Sequence, residues 1–282
     1  MVFGHFLAFI SASFPGRARP FACFTWILAL LIIPVSASGV CAADLIPHRA
    51  GYVLRLAAGS DTSGGGTMTY EIKSVCDGWA VEMKADLTLL GADGRVQRLG
   101  WNQITWEARD GSRYRYFMRE SSDGEETGRR RGEARRQSPQ SEATVTADLP
   151  QREEFTLPGG ILFPVQHTEA LIAAEASGQT FLSAQLFDGA VENDVVELGA
   201  SLGKGVSDWK GAGKATAALS GVRSFPVGLA YFFSESPEGL PDSEQHLRLY
   251  VNGVVGELIF SLGSLEVEAR LEEFRQLEPE GC

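Results

Sequence analysis

The stretch Thr67-Met-Thr-Tyr-Glu-Ile-Lys-Ser-Val-Cys76-Asp-Gly-Trp79 decides the fold. Before the cysteine, apolar side chains alternate with polar ones at the two-residue period of a strand that buries one face: Met68, Tyr70 and Ile72. Asp77 and Gly78 are a tight-turn signal, since aspartate turns the chain and glycine tolerates a positive φ. The run from Trp79 to Leu90 resumes the strand pattern. The stretch therefore predicts a β-hairpin.

The same pattern of short apolar runs and turn residues recurs along most of the chain. Further strands are predicted at Ala50–Ala57, Arg95–Ala108, Ser112–Arg119, Thr144–Leu149, Gln179–Leu186, Asn193–Leu198, Arg223–Phe233, Gln245–Val251, Gly256–Leu262 and Leu265–Leu277. Asn252-Gly253 predicts a hairpin turn, while Ser60–Gly66 and Gly199–Gly213 are glycine-rich and predicted as loops. Because closely spaced strands are usually neighbours, we expect an all-β domain with one large curved antiparallel sheet, a β-spiral or open barrel.

One segment has helical spacing instead. A helix is predicted from Pro164 to about Ser177, because proline at the first helical position loses no backbone hydrogen bond and Gly178 suits the left-handed stop. Apolar positions recur along one side of this helix: Val165, Thr168, Leu171, Ile172 and Ala176. We expect the helix to plug or cover one face of the curved sheet.

The first 43 residues have the composition of an export signal. They contain no Asp, Glu or Lys, carry Arg17 and Arg19, and continue through the apolar run Phe21–Val35 to small residues. This run is shorter than the ~20 residues that span a bilayer. We predict a cleaved signal peptide over 1–43, a single domain over 44–282 and a periplasmic location without a membrane span. An uncleaved membrane anchor is the alternative.

The chain has four cysteines, at Cys23, Cys41, Cys76 and Cys282. The first two lie in or beside the predicted signal peptide, so Cys76 and Cys282 remain to pair with each other. Disulfides persist in oxidising compartments, and export therefore supports this disulfide. Two unrelated thiols are the alternative. Lipid modification of Cys41 is disfavoured, because Val40 stands where such sites carry a small residue.

The chain is acidic, with 25 Lys and Arg against 36 Asp and Glu and a net charge of −11. An acidic surface repels phosphates, which argues against nucleic acid or anionic lipid headgroups as the main partner. The segment Glu120–Arg136 departs from this balance, since it carries Arg129, Arg130, Arg131, Arg135 and Arg136. A basic patch over 129–136 that docks an acidic partner or lipopolysaccharide phosphate is one interpretation. We favour a long solvated hairpin tip, because acidic residues are interspersed.

No combination of residues identifies a reaction. His48, His167 and His246 are far apart in the sequence and lack the spacing of a zinc site. His167 is interpreted as a packing or hydrogen-bonding residue of the helix rather than a ligand or base. Gly211-Ala-Gly-Lys214 lacks the hydroxyl that a phosphate loop places after its lysine. No catalytic residue, cofactor or metal is therefore predicted.

Four features of the sequence occur together: Leu45-Ile-Pro-His48-Arg-Ala-Gly-Tyr52, Tyr70-x5-Cys76-Asp-Gly-Trp79, Leu162-Phe-Pro164-x2-His167 and a cysteine at the far C-terminus. With them the chain resembles the EipB family of periplasmic cell-envelope integrity proteins of alphaproteobacteria. The resemblance implies a single-domain antiparallel β-spiral with one helix, a Cys76–Cys282 disulfide and a role in maintaining the envelope. It implies no known enzymatic activity, and only the cysteine pair carries over.

We therefore predict a monomeric, non-enzymatic periplasmic protein that supports cell-envelope integrity through an unidentified periplasmic protein partner. The alternative is a carrier of a lipid or another lipophilic ligand, which needs an apolar pocket left open between the helix and the sheet. A hydrolase is the third hypothesis, for which loss of ester or glycan hydrolysis on mutation of His167 would be evidence. Nucleic acid is not expected as a partner.

Overall fold

A computed structural model describes residues 44–57, 62–190, 195–233 and 239–280. The predicted signal peptide, with Cys23 and Cys41, lies outside these residues, and so does Cys282. The cleavage of residues 1–43 and the start of the domain at residue 44 therefore stay predictions.

Fourteen strands and one α-helix make up the described part of the chain. The strands before the helix are β1 His48–Leu56, β2 Ser63–Val75, β3 Gly78–Leu90, β4 Val96–Ala108, β5 Arg113–Ser122, β6 Glu125–Arg135, β7 Ala143–Leu149 and β8 Glu153–Leu157. The helix α1 spans Pro164–Ala176. It is followed by β9 Phe181–Leu186, β10 Val196–Leu202, β11 Ser224–Phe232, β12 Ser243–Tyr250, β13 Val255–Leu262 and β14 Leu265–Gln276. A short 3₁₀ helix, Lys214–Leu219, lies between β10 and β11.

All fourteen strands belong to one antiparallel sheet whose order nearly follows the chain. β1 to β8 lie side by side, as do β9 to β14, and the two halves join where β1 pairs with β14. Short hairpins explain this order, since antiparallel strands can be joined directly. Within the described residues the sheet is not closed and has β8 and β9 as its edges, although Leu162 bridges Leu186 on β9. The predicted single antiparallel sheet with one helix is confirmed.

The main core fills the inner face of this sheet, where the predicted alternation places apolar side chains. Its members include Tyr52 and Leu54 on β1, Met68, Tyr70 and Ile72 on β2, and Val227, Leu229 and Tyr231 on β11. Full burial of a side chain such as Leu or Met stabilises a fold by about 1.5–3 kcal/mol. One-residue slips of register would expose these side chains, so the apolar pattern specifies the pairing of strands.

The helix α1 contributes to the same core. It begins at Pro164 as predicted, and Gly178 follows it with a φ of 80°. The predicted apolar stripe is wrong at Ala176, which is exposed, whereas Glu175 is buried. Glu175 can be buried because Oε1 accepts a hydrogen bond from Arg223 Nη2 at 2.5 Å. None of the helices in the described ranges has both the length and the apolar character needed to cross a bilayer.

A second, aromatic cluster fills the part of the sheet around β5 to β8. Tyr114 stacks on Phe163 with ring centroids 5.1 Å apart, and its hydroxyl donates to the carbonyl oxygen of Asp188 at 2.9 Å. Tyr116 packs edge-on against Phe187 at 5.8 Å. Phe163 stands directly before α1, and Phe187 and Asp188 stand directly after β9. The contacts therefore attach both of these segments to β5. The ring geometries are those that aromatic pairs prefer.

The segment Glu120–Arg136 is a hairpin, but its tip is much shorter than predicted, because most of the segment is strand. β5 continues to Ser122 and β6 covers Glu125–Arg135. The inward residues of β6 are Gly132 and Ala134, whose small side chains give no apolar signal in the sequence. The outward arginines form ion pairs, including Arg129 with Glu126, Arg131 with Asp148 and Arg135 with Glu133. The arginines are thus largely neutralised by neighbouring carboxylates.

Other glycine-rich segments also prove to be strands. Residues 63–66 begin β2, and residues 199–202 complete β10, where loops were predicted. A Cβ on Gly66 would overlap the carbonyl oxygen of Asp86 on β3, so glycine permits the close approach of the two strands. The strand β8 was not predicted at all.

Candidate functional site

Cys76, the first predicted site residue, lies in the turn between β2 and β3 and is disulfide-bonded. Because Cys282 lies outside the described residues, their pairing stays a prediction. The chain that leads to Cys282 does run beside this turn. The Glu280 N–H donates to the carbonyl oxygen of Ser74 at 3.0 Å. Glu280 and Ser74 each stand two residues before a cysteine, so the C-terminal tail is held next to the hairpin.

The turn is shifted by one residue from its predicted position. Cys76 and Asp77 are its two central residues, and Gly78 already belongs to β3. Glycine is required at this point for another reason. A Cβ on Gly78 would overlap the carbonyl oxygen of Glu107 and lie 2.9 Å from the Trp106 ring. The neighbouring strand β4, rather than the turn, therefore demands Gly78.

Trp79 anchors the hairpin to the rest of the sheet. It is buried, and the Arg109 guanidinium carbon lies 4.6 Å from the centre of its ring. The same Arg109 donates from Nη2 to Ser74 Oγ at 2.5 Å. The cation and the aromatic face attract each other, so this contact joins the β2–β3 hairpin to the turn between β4 and β5.

Glu107 on β4 caps the N-terminus of α1 from a distant part of the chain. Its Oε2 accepts a hydrogen bond from the Val165 N–H at 2.8 Å, and Oε1 accepts one from the Gln166 N–H at 2.9 Å. The first N–H groups of a helix have no partner inside the helix, and the carboxyl group supplies one. Burial raises the pKa of Glu107 to about 8, although the two N–H donors oppose the shift.

Arg136, directly after β6, binds the same end of the helix. Its guanidinium carbon lies 4.4 Å from the centre of the Phe163 ring, and the side chain is 8% exposed. It donates to four oxygens: Gly111 O at 2.7 Å, Ile161 O at 2.7 Å, Pro139 O at 3.0 Å and Gln166 Oε1 at 2.8 Å. We call Glu107, Arg136 and Gln166 the helix socket. The socket uses its two buried titratable groups, Glu107 and Arg136, to bind backbone and helix atoms.

The three internal segments that carry the family resemblance meet beside the socket. Leu45, His48, Tyr70 and Pro164 line one small cleft between the sheet and α1. Its volume is about 30 Å³, enough for about one water molecule. Ligand pockets hold about 300–1,000 Å³. The open apolar pocket that the carrier hypothesis needs is therefore nearly filled at this place.

The histidines do not come together. Burial lowers the pKa of His167 to about 3, and neither ring nitrogen has a hydrogen-bond partner in the described structure. The packing interpretation of His167 thus fits the structure, and the hydrogen-bonding one does not. His48 is also buried, with a hydrogen bond between Nδ1 and the carbonyl oxygen of Ile46 at 2.8 Å. Within the described ranges, no group of three or more His, Cys, Asp and Glu side chains could hold a metal ion.

The sequence Gly199-Ala-Ser201-Leu-Gly203 has the spacing of a nucleophile elbow, in which a serine sits on a sharp turn between a strand and a helix. Here Ser201 lies inside β10, and its hydroxyl donates to the carbonyl oxygen of Gly228 at 3.3 Å. The motif therefore lacks the structural context that would make the serine a nucleophile.

The socket predicts a specific pH dependence of stability. Because the folded pKa of Glu107 is raised to about 8, the folded protein keeps a proton that the unfolded chain releases above pH ~4.5. Its stabilisation is complete below that pH and is lost as the pH rises through about 8. We expect the free energy of unfolding to fall by roughly 1–2 kcal/mol between pH 7 and pH 9, above the range in which the two buried histidines titrate.

Urea denaturation at a series of pH values measures this effect, and Glu107→Gln is the matched control. Glutamine keeps the size of the side chain and one carbonyl oxygen but does not titrate, so the profile of the variant is expected to be flatter above pH 7. A wild-type profile as flat as that of the variant would contradict the assignment.

The comparisons with known proteins agree with this architecture. A family model described as EipB-like matches residues 40–278. The chain belongs to the EipB-like family. The cell envelope integrity protein EipB of Brucella abortus (strain 2308) is 30% identical over 244 residues, which cover 84% of this chain and 86% of that protein. A crystal structure of a β-barrel-like protein of a domain of unknown function from Brucella abortus matches with a TM-score of 0.75 and 25% identity, over 84% of this chain and all of the other.

In this EipB-like chain, the sequence did not reveal Glu107 or Arg136 as the residues that organise the helix. The local signal that could have pointed to the socket is Gln166, three residues after Phe163, whose N–H donates to Gln166 Oε1 at 3.3 Å. Glu107 and Arg136 stand 57 and 28 residues before Pro164. No local pattern relates them to the helix.

Proposed function

We propose that this EipB-like protein is exported to the periplasm and helps to maintain the integrity of the cell envelope without being an enzyme. The observation that carries the proposal is the 30% identity to a cell envelope integrity protein over most of both chains. A match of this extent supports a shared role as well as a shared fold.

The use of buried titratable groups supports a structural rather than a catalytic role. Glu107 and Arg136, two titratable side chains that are almost fully buried, are bound to backbone and helix atoms. Catalytic groups are instead directed at a cavity that admits a substrate. The cleft next to the socket has a volume of only about 30 Å³.

Two further features belong to the proposal. The first is a disulfide between Cys76 and Cys282. The hydrogen bond between the Glu280 N–H and the carbonyl oxygen of Ser74 supports this pairing. The protein acts as a monomer through a periplasmic protein partner. Phe181, which is 61% exposed on the edge strand β9, is an apolar residue that such a partner could cover.

Deletion of the gene from the bacterium that encodes it tests the proposal. We expect at least a ten-fold loss of plating efficiency on a detergent such as deoxycholate, because a weakened envelope admits the detergent. The full-length gene is expected to restore growth, and a gene without codons 2–43 is not. Unchanged growth of the deletion strain would contradict the envelope role. If the deletion strain is sensitive to the detergent and the gene without codons 2–43 also restores its growth, only the export part of the proposal is contradicted.

A further inference from the structure

A groove on the outer face of the sheet remains unexplained by the envelope role. It has a volume of about 600 Å³, within the range of ligand pockets, and crosses β10 to β13. One row of its floor runs across the four strands through Ser201, Gly228, His246 and Ile259. The neighbouring row contains Pro226, Arg248 and Glu257. Trp209, from the loop before the 3₁₀ helix, also lines the groove.

Gly228 leaves the centre of the floor open. A Cβ at this position would lie 2.7 Å from Ser201 Oγ and 3.4 Å from His246 Nδ1. Any side chain on residue 228 would therefore fill the space between a hydroxyl and an imidazole. With glycine present, both polar groups can be reached by a ligand that enters the groove.

Trp209 is fixed as an aromatic wall. The Arg248 guanidinium carbon lies 5.0 Å from the centre of its ring, and the Tyr250 ring packs edge-on at 6.0 Å. A Cβ on Gly256 would lie 2.6 Å from the indole, so the ring rests directly on the backbone of β13. Because several contacts hold the indole, binding against it costs little side-chain entropy.

Arg248 and Glu257 face each other across β12 and β13 but form no ion pair in the described structure. The Arg248 guanidinium instead stacks on the Trp209 ring. The Glu257 carboxyl lies beside Glu268, whose two oxygens accept 2.7 Å hydrogen bonds from Arg270. A cation and a carboxyl group are thus held side by side in the groove without being joined by an ion pair.

We propose that this groove binds an oligosaccharide. Sugar hydroxyls both donate and accept hydrogen bonds, so one ligand can satisfy Glu257, Arg248, Ser201 and His246 together. The apolar C–H face of a sugar ring can pack against Trp209. An apolar ligand would bury Arg248 and Glu257 without hydrogen bonds, which is costly. The net charge of −11 and the carboxyl of Glu257 disfavour an anion.

Calorimetric titration of the purified chain with cellotetraose, maltotetraose and the tetramer of β-1,4-linked N-acetylglucosamine tests the proposal. We expect at least one to bind with a Kd below about 1 mM. Arg248→Gln and Glu257→Gln are each expected to weaken that binding at least ten-fold, with unchanged circular dichroism. Arg115→Gln is the matched control, because Arg115 also stacks on a tryptophan, Trp106, at 5.1 Å but lies outside the groove.

Three results would overturn the proposal. The first is no binding of any of the three tetrasaccharides at 10 mM. The second is equal loss of saccharide affinity in Arg115→Gln and Arg248→Gln. The saccharide would then bind outside the groove, or the loss would be a general effect of removing a surface arginine. The third is binding of inorganic phosphate without saccharide, which would make the groove an anion site. The result of the titration does not depend on the plating assay. The oligosaccharide proposal and the envelope proposal can therefore fail separately.

Discussion

Replacement of Arg136 by methionine is expected to lower the free energy of unfolding by roughly 3–5 kcal/mol. Methionine has a similar length but donates no hydrogen bond. The carbonyl oxygens of Gly111, Pro139 and Ile161 and the amide oxygen of Gln166 would then lose their common donor. Each buried acceptor left without a partner costs about 1–3 kcal/mol. The stacking of the guanidinium on Phe163 would be lost as well.

Urea denaturation followed by circular dichroism measures this loss, and the neighbouring residue supplies the control. Arg135 is 62% exposed and pairs with Glu133 at 2.7 Å. Because exposed ion pairs contribute little, Arg135→Met is expected to cost less than about 1 kcal/mol. Arg136→Lys should fall between the two, since lysine keeps the charge but cannot reach four acceptors at once. An equal effect of the methionine substitutions at positions 135 and 136 would show that the socket does not stabilise the fold.

Replacement of Cys76 by serine is expected to lower the melting temperature by about 5–15 °C under non-reducing conditions. A bridge to Cys282 closes a loop of about 200 residues, for which the chain-entropy model gives a stabilisation of up to ~5 kcal/mol. The unfolded chain gains that freedom when the bridge is absent. Loss of stability would also reduce the abundance of the protein in the periplasm.

The pairing itself is tested by comparing Cys76→Ser, Cys282→Ser and the double variant by differential scanning calorimetry. If the two cysteines form one bridge, each single variant has already lost it, and the double variant is expected to melt within about 2 °C of either. Additive losses would show two independent roles. An unchanged melting temperature in Cys76→Ser would contradict a stabilising bridge. Intact mass before and after reduction and alkylation identifies the bonded cysteines directly.

The elements with a strong local period were predictable. The alternation around Tyr70 and the helical spacing after Pro164 report directly which side chains are buried, because the period of the backbone and the apolar pattern coincide. The resemblance to the EipB family was confirmed as well, since it depends on residue identity and spacing alone.

The prediction from sequence failed for strands whose inward-facing residues have no large apolar side chain. On β6 those residues are Gly132 and Ala134, which leave the arginines to dominate the composition. On β2, Gly66 reads as a loop residue but is required where β3 comes too close for a Cβ. In both strands the sheet around them, rather than local propensity, decides the conformation.

The linear order of residues determined the antiparallel sheet, its single helix and the family, because these follow from side-chain alternation and from motifs read within short stretches. Only the tertiary structure decided how the helix is held and where a ligand could bind. Glu107 and Arg136 reach the helix from β4 and from the end of β6, and Arg248 meets Trp209 across a long loop. The physical reason is that a buried polar or charged group is stable only beside partners that supply its hydrogen bonds. In a sheet of fourteen strands those partners come from chain segments far apart in sequence.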